Sequence, residues 1–330
     1  MNALSRGDPP VDSQTTRPGR DGWIEAGLFS IALAVLNVSY GLGQQLGVNP
    51  IALLFWAMPV GAIALLLASG LGPDWRSVVS HPLSLVVGGG IIAMEAVYYV
   101  LLGLVTPTDG SVLVRLGVPI AMLLGYFLVG RRPSRLGILG GLVIISTILW
   151  YVPRMESASP IGGLLLGAAC GFIMSARSFA AEQHPWNRAA RTIPEKMRVT
   201  GLVLLLACGV GTILLFLAMA GAAHELFTAP KWLPEPHHLI DPSAIWLGLF
   251  VGAIVLTAMQ YLGFSVVVKL GAENFVATTA LIPVTTLGVQ QLAVAAGLLT
   301  PIAVEWQVLP AMAGVIFGVM LIIGGTRRKS

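Results

Sequence analysis

One carboxylate, Glu95, interrupts a long apolar run over residues 83–105, and Tyr98 and Tyr99 follow it. If the run is a helix, Glu95 and Tyr98 share a face, because positions three apart are neighbours on a helix surface. A carboxylate in that setting can bind a cationic group or carry a proton. Its structural alternatives are a neutral buried acid or the partner of a cation on another helix. Arg115 stands near the start of the next apolar run, where a guanidinium can hold a substrate carboxylate through two parallel hydrogen bonds. It can also pair with Glu95, or reach an interface along its long stem. Arg177 lies toward the far end of a sixth run, and its stem favours the interface in the same way.

The neutral polar residues have a pattern of their own. Asn37, Tyr40 and Gln44 are spaced by three and four and so share one face of the first run. Such a stripe turns toward other helices, where it lines a cavity or bonds to its neighbours. Gln260 and Tyr261, with Phe264, form a comparable group in the eighth run, and Gln290 lies in the ninth. Trp56 sits deeper in the second run than an interfacial aromatic belt, and either packs there or offers its ring to a cation. The candidate substrate-binding and translocation set is therefore Glu95, Tyr98, Tyr99, Arg115, Asn37, Tyr40, Gln44, Trp56, Arg177, Gln260, Tyr261 and Gln290.

Catalytic and cofactor chemistry has little to build on. The stretch 223–243 holds His224, Glu225, His237, His238 and Asp241, but without the ligand spacing of a zinc site. Its prolines, Pro230, Pro234, Pro236 and Pro242, read as a stiff extracytoplasmic cover. No histidine falls in an apolar run, and Gly-x-Ser-x-Gly, His-Glu-x-x-His and Walker motifs are all missing from the sequence. The expectation is a protein that is not an enzyme, holds no metal or cofactor and does not hydrolyse ATP.

The elements that must position these residues are membrane spans. Of 330 residues, 56% are hydrophobic and 10% charged, against roughly 25% charged in soluble domains. A spanning helix takes about 20 apolar residues. Ten stretches qualify: 23–47, 51–72, 83–105, 111–129, 136–153, 161–183, 200–222, 244–268, 275–299 and 308–326. The predicted fold class is an all-α integral membrane protein with ten transmembrane helices. A barrel is excluded, because the runs are continuous rather than alternating. Cys170 and Cys208 lie inside apolar runs and read as small buried hydrophobes. Residues 1–22 are rich in Pro, Gly, Asp and Arg and are expected to be disordered.

Lysine and arginine in the loops set the orientation. With the N-terminus cytoplasmic, all loop basic residues fall inside except Arg154 and Lys231, while Arg115 and Arg177 are embedded. The expected topology has both termini cytoplasmic, in a multi-pass protein of the cell (inner) membrane. The net charge of +4 is spread between runs and forms no nucleic-acid patch. The expected partners are a small-molecule substrate and the lipid bilayer. Gly137-xxx-Gly141 and Gly314-xxx-Gly318 allow close helix approach, within the chain or in a homodimer.

The two halves of the chain match each other. Residues 26–50 lie over 161–185, with Gly27 on Gly162, Ala34 on Ala169 and Pro50 on Pro185; residues 111–129 lie over 275–293, with Pro119 on Pro283, Leu123 on Leu287 and Leu128 on Leu292. Five spans per half is an odd number, so the halves, 23–153 and 161–326, would be inverted repeats. Alternating-access carriers are built that way, with the site near the midplane.

The segments RLGVPIAMLLGYFLVGRRPSRLGILGGLVIISTILWY (115–151) and TTALIPVTTLGVQQLAVAAGLLTPIAVEWQVLPAMAGVIFGVMLIIGG (278–325) carry a further likeness. Each has a small-residue helix with a proline, a short turn and a Gly-rich last helix. In this the chain resembles the EamA type of the drug/metabolite transporter superfamily, over most of 23–326. The family's turn after the fourth and ninth helices often reads Gly-Glu; here it reads Gly130-Arg131 and Gly297-Leu298. The resemblance implies a secondary transporter of a small organic metabolite, such as an amino acid or amine, in the direction of export. A flippase for lipid or lipid-linked substrates on the same scaffold is the alternative.

Overall fold

The computed structural model describes residues 20–155, 159–230, 232–300 and 306–327. Residues 1–19 of the stretch expected to be disordered lie outside these, as do Lys231, Arg328 and Lys329 of the orientation argument. Ten helices are long and apolar enough to cross a membrane: α1 (Arg20–Gln45), α2 (Pro50–Ser69), α3 (Pro82–Leu102), α4 (Thr108–Val129), α5 (Arg135–Arg154), α6 (Pro160–Gln183), α7 (Ile193–Ala223), α8 (Pro242–Leu270), α9 (Ala272–Ala295) and α10 (Val308–Gly325). All ten overlap the apolar runs.

Most boundaries lie within four residues of the apolar runs, and two starts have a consequence for the reading of the sequence. Helix α1 begins at Arg20, so residues 20–22 are helical rather than disordered. Helix α7 begins at Ile193, not near 200, because Thr192 and Glu195 form a capping box that carries the helix through the charged turn 195–198. Several starts share one device, a capping residue followed by proline. Asn49 accepts hydrogen bonds from the Ile51 and Ala52 N–H groups at 2.9 and 3.2 Å, with Pro50 as the first helical residue. The N–H that proline lacks is one the first turn could not satisfy in any case.

Glycine sets the closest packing. A Cβ on Gly140 of α5 would lie 2.3 Å from the Gly318 carbonyl oxygen of α10, and one on Gly171 of α6 would lie 2.5 Å from the Gly117 nitrogen of α4. Gly314 and Gly318 thus serve an interface within the chain. Large apolar side chains such as Leu67, Phe127, Ile213, Leu217 and Leu292 point outward and are more than half exposed, as on a surface solvated by lipid tails.

Three spans are irregular in their interior. Helix α4 consists of a helix over Pro107–Leu113, a 3-10 turn over Val114–Leu116 and a helix over Gly117–Val129. Helix α9 repeats the scheme, with a helix over Ala272–Thr278, a 3-10 turn over Thr279–Leu281 and a helix over Ile282–Ala295. Helix α8 has a π-helical stretch over Val251–Leu256. Within a membrane such breaks are tolerated where protein or a cavity, not lipid, surrounds them.

Candidate functional site

The breaks in α4 and α9 meet in the interior, and Arg115 joins them. Its Nε donates to the Ser111 carbonyl at 2.9 Å, one turn back, and a terminal nitrogen donates to the carbonyl of Thr279 in the α9 turn. The poorer hydrogen-bond geometry of a 3-10 turn leaves its carbonyls short of donors, and the guanidinium supplies them. Among the described residues, the second terminal nitrogen makes no bond.

Glu95 approaches the same space from α3. It is 5% exposed and accepts a hydrogen bond from Tyr40 Oη of α1 at 3.0 Å. Among the described residues it has no cationic atom within 4.0 Å. The charge of Arg177 on α6 acts on Glu95 from beyond ion-pair distance. The Arg177 stem packs on Gly90, where a Cβ would lie 2.8 Å from Cβ of Arg177, and its buried Nε has no partner. Arg177 therefore turns inward toward the α3–α6 contact and not out to the interface.

Three cavities surround this group. The central one, about 30 Å³, is lined by Asn37, Tyr40, Glu95, Tyr98, Ser111 and Arg115. It has room for about two waters. Tyr98 Oη is buried there without a partner. Glu95 and Arg115 share this cavity without forming a salt bridge. A second cavity of about 220 Å³ runs between α1 and α9, lined by Asn37, Gln44, Gln45, Thr286 and Gln290. The third, about 100 Å³, is an apolar fissure between α2, α3 and α7, lined by Leu54, Phe55, Met58, Ile92 and Leu215, with Glu95 on its wall. Asn37 borders the first and second cavities, and Glu95 the first and third.

Thus Asn37, Tyr40, Glu95, Tyr98 and Arg115 come together, with Gln44 and Gln290 in the adjoining vestibule and Arg177 behind Glu95. Trp56, Tyr99, Gln260 and Tyr261 line none of the three cavities. Trp56 is structural in its contacts: Nε1 donates to the Leu239 carbonyl at 2.8 Å, tying α2 to the cover over α8.

Two further ionisable residues near the ends of spans, Glu182 and Lys269, have charged partners. Arg131, after α4, forms an ion pair with Glu182 at the end of α6, and Glu182 also accepts from the Ala272 N–H that opens α9 at 2.9 Å. Burial opposes the Arg131 charge, but the bond and charge of Glu182 outweigh it and hold the guanidinium above its usual pKa. Lys269 of α8 pairs with Glu25 of α1 at 2.6 Å, and Glu25 also accepts from Ser265 at 2.7 Å. These contacts lie at the end of the bundle where α1 starts. At the other end Gln45 bonds to Thr300 through both amide atoms, at 2.8 and 3.2 Å. Sequence reasoning missed Asp109, 2% exposed, which accepts from Tyr151 Oη. Its place in a Pro-Thr-Asp-Gly turn disguised it as a surface residue.

No protein-family model and no curated protein matches the chain. Solved structures do match. One, described only as the crystal structure of a protein, is 19% identical, covers 93% of this chain and 99% of its own, and superposes with a TM-score of 0.61. At that identity the likeness is one of fold.

Proposed function

We propose that the protein is a secondary active transporter of a small organic metabolite carrying an amino group, such as an amino acid or an amine. The observation that carries this reading is a buried carboxylate and a buried guanidinium that line one internal cavity without neutralising each other. A transport site for a zwitterion needs that arrangement: Glu95 faces the ammonium group, and the free terminal nitrogen of Arg115 faces the carboxylate. A structural ion pair would have closed the gap, because an unpaired buried charge is costly.

Alternating access would arise from two inverted five-helix repeats, α1–α5 and α6–α10, with both termini cytoplasmic and an EamA-type arrangement in the cell membrane. The matched irregularities support this. In both α4 and α9 a seven-residue helix and a three-residue 3-10 turn precede the longer helix, and Pro119 and Pro283 sit early in those longer helices. The arginine and lysine bias supports the orientation. Glu95 is the one acidic residue on the cavity wall and is the proton-coupling group in this scheme.

The test is counterflow and uptake in proteoliposomes with labelled amino acids and amines, with and without a pH gradient. Accumulation of one class, lost in Glu95→Gln by tenfold or more, is the expected result. Failure of every class to move, in both conditions, would overturn the carrier reading. A flippase is the second reading, favoured by the apolar fissure that leads from the outer face of α2, α3 and α7 to Glu95. A fluorescent-lipid protection assay in the same vesicles separates the two.

A further inference from the structure

We infer that the vestibule between α1 and α9 reads the uncharged part of the substrate: it takes a neutral hydrogen-bonding group, a carboxamide or a hydroxyl, attached to the charged end held at Glu95 and Arg115. This inference rests on the carrier reading above and assigns the substrate class within it.

Size is the first argument. The central cavity, about 30 Å³, admits little more than water in this conformation, whereas the vestibule, about 220 Å³, admits a side chain. Gly41 on its wall leaves open space, since a Cβ there would meet nothing within 4 Å. The neighbouring Gly43, by contrast, would meet Leu247 and Leu53 at 3.4 Å.

Chemistry is the second. The polar wall consists of amides and a hydroxyl, from Asn37, Gln44, Thr286 and Gln290, and none of the residues lining the cavity is ionisable. Gln290 is 6% exposed and its carboxamide has no partner among the described residues. Asn37, 3% exposed, spends one N–H on Thr286 Oγ1 at 3.3 Å and leaves its carbonyl oxygen free there. A charged substituent would enter without a counter-ion. An apolar one would leave the buried amides of Asn37 and Gln290 unpaired, and sites of that kind reject analogues lacking the matching group most strongly. A neutral group that both donates and accepts answers the wall.

Continuity is the third. Asn37 borders both cavities, so the vestibule adjoins the space between Arg115 and Glu95 at that residue.

The test uses the full-length protein in proteoliposomes, with glycine, glutamine, glutamate and norleucine competing for counterflow. Glycine probes the charged end alone; the other three share that end and differ in the distal group. Glutamine is expected to compete at least tenfold better than glutamate and norleucine. Gly41→Leu, which adds a side chain on the vestibule wall at a point where a Cβ meets nothing within 4 Å, and Gln290→Leu are each expected to erase most of the preference for glutamine over norleucine. Both variants are read as that ratio, so a loss of folded protein does not mimic the result. Equal competition by the three, or a preference unchanged in both variants, overturns the vestibule assignment while the carrier reading stands. If glycine and the other three all fail to compete and to move, the carrier reading for amino acids falls, and the assignment with it.

Discussion

At the scale of the residue, the site turns on how Glu95 is held. Its only hydrogen bond among the described residues comes from Tyr40, and both groups are buried. A hydrogen bond to a charged group contributes about 1.5–3 kcal/mol, and both partners share it. Tyr40→Phe is therefore expected to lower the melting temperature in detergent and to weaken transport, and Glu95→Gln to do the same. The double variant is expected to be little worse than the poorer single one, since Glu95→Gln weakens and Tyr40→Phe removes the same charge-assisted bond. Additive losses in a thermal-shift and counterflow cycle would show that the two act separately. Glu95 itself was legible in the sequence, because a charge inside an apolar run has few neutral explanations. Its partner was not: helical spacing grouped Tyr40 with Asn37 and Gln44, but nothing local encodes which helix that face meets. Arg177 was misread for a related reason. Its depth allowed it to reach the interface, and only the contact with Gly90 on another span turns it inward.

At the scale of the element, the spans were legible to within about four residues at every end but the start of α7, since apolar length and Pro or Gly punctuation are local properties. The short connections were not. Ser84 Oγ, in the first turn of α3, donates to the carbonyl of Val78 in the α2–α3 connection at 2.5 Å, so toward Nε2 of His184, between α6 and α7 and 2.8 Å away, it must accept. His184 then carries its proton on Nε2 and leaves Nδ1 to accept from the Asn187 N–H at 3.4 Å. A second proton has no place, because Nδ1 already faces a donor. Burial first, then His81 and Lys196, push the imidazole from 6.5 down to about 4. Lys196 faces it on Asn187 as a buried cation, donating to both the backbone and the side-chain oxygen. The sign follows by linkage. A depressed histidine contributes stability that is complete above the unfolded value near 6.5 and is lost as the pH falls toward 4. The full difference is about 3 kcal/mol, of which roughly 2 kcal/mol is gone by pH 5. The melting temperature should therefore fall between pH 7 and pH 5, and His184→Gln, which does not titrate, should flatten that slope. An equal slope in the variant would place the pH dependence elsewhere. Nothing in the spacing of His81, His184 and Lys196 announces this cluster; two separate connections and the first turn of α7 assemble it.

At the scale of the whole molecule, the two halves of the chain are joined unequally at the two ends of the bundle. Where α1 starts, Arg131 meets Glu182, Glu25 meets Lys269, and Arg198 donates to the Ser69 and Gly70 carbonyls at 3.1 and 3.3 Å. Each contact links the first five spans to the last five. At the far end the ties between Gln45 and Thr300 and between Trp56 and Leu239 are neutral, and the vestibule lies there. The lysine and arginine bias reveals which end is basic; it does not reveal that acids from the opposite half meet Arg131 and Lys269 there. In an alternating-access cycle the ion-paired end must part. Arg131 and Glu182 have side chains 37% and 13% exposed, so their bond is partly shielded from water, and losing about 1.5 kcal/mol of it shifts an open–closed balance by about tenfold. Arg131→Glu should open that end. A cysteine at Ser30, a position 1% exposed between the ion pairs and the cavities, should then react about tenfold faster with a water-soluble maleimide than in the parent Ser30→Cys protein. Adding Glu182→Arg restores opposite charges in reversed order and should bring the rate back down. A Ser30→Cys rate unmoved by Arg131→Glu would mean that apolar packing alone seals this end. A raised rate that the reversal fails to lower would mean that the substitution loosened the fold without opening a gate.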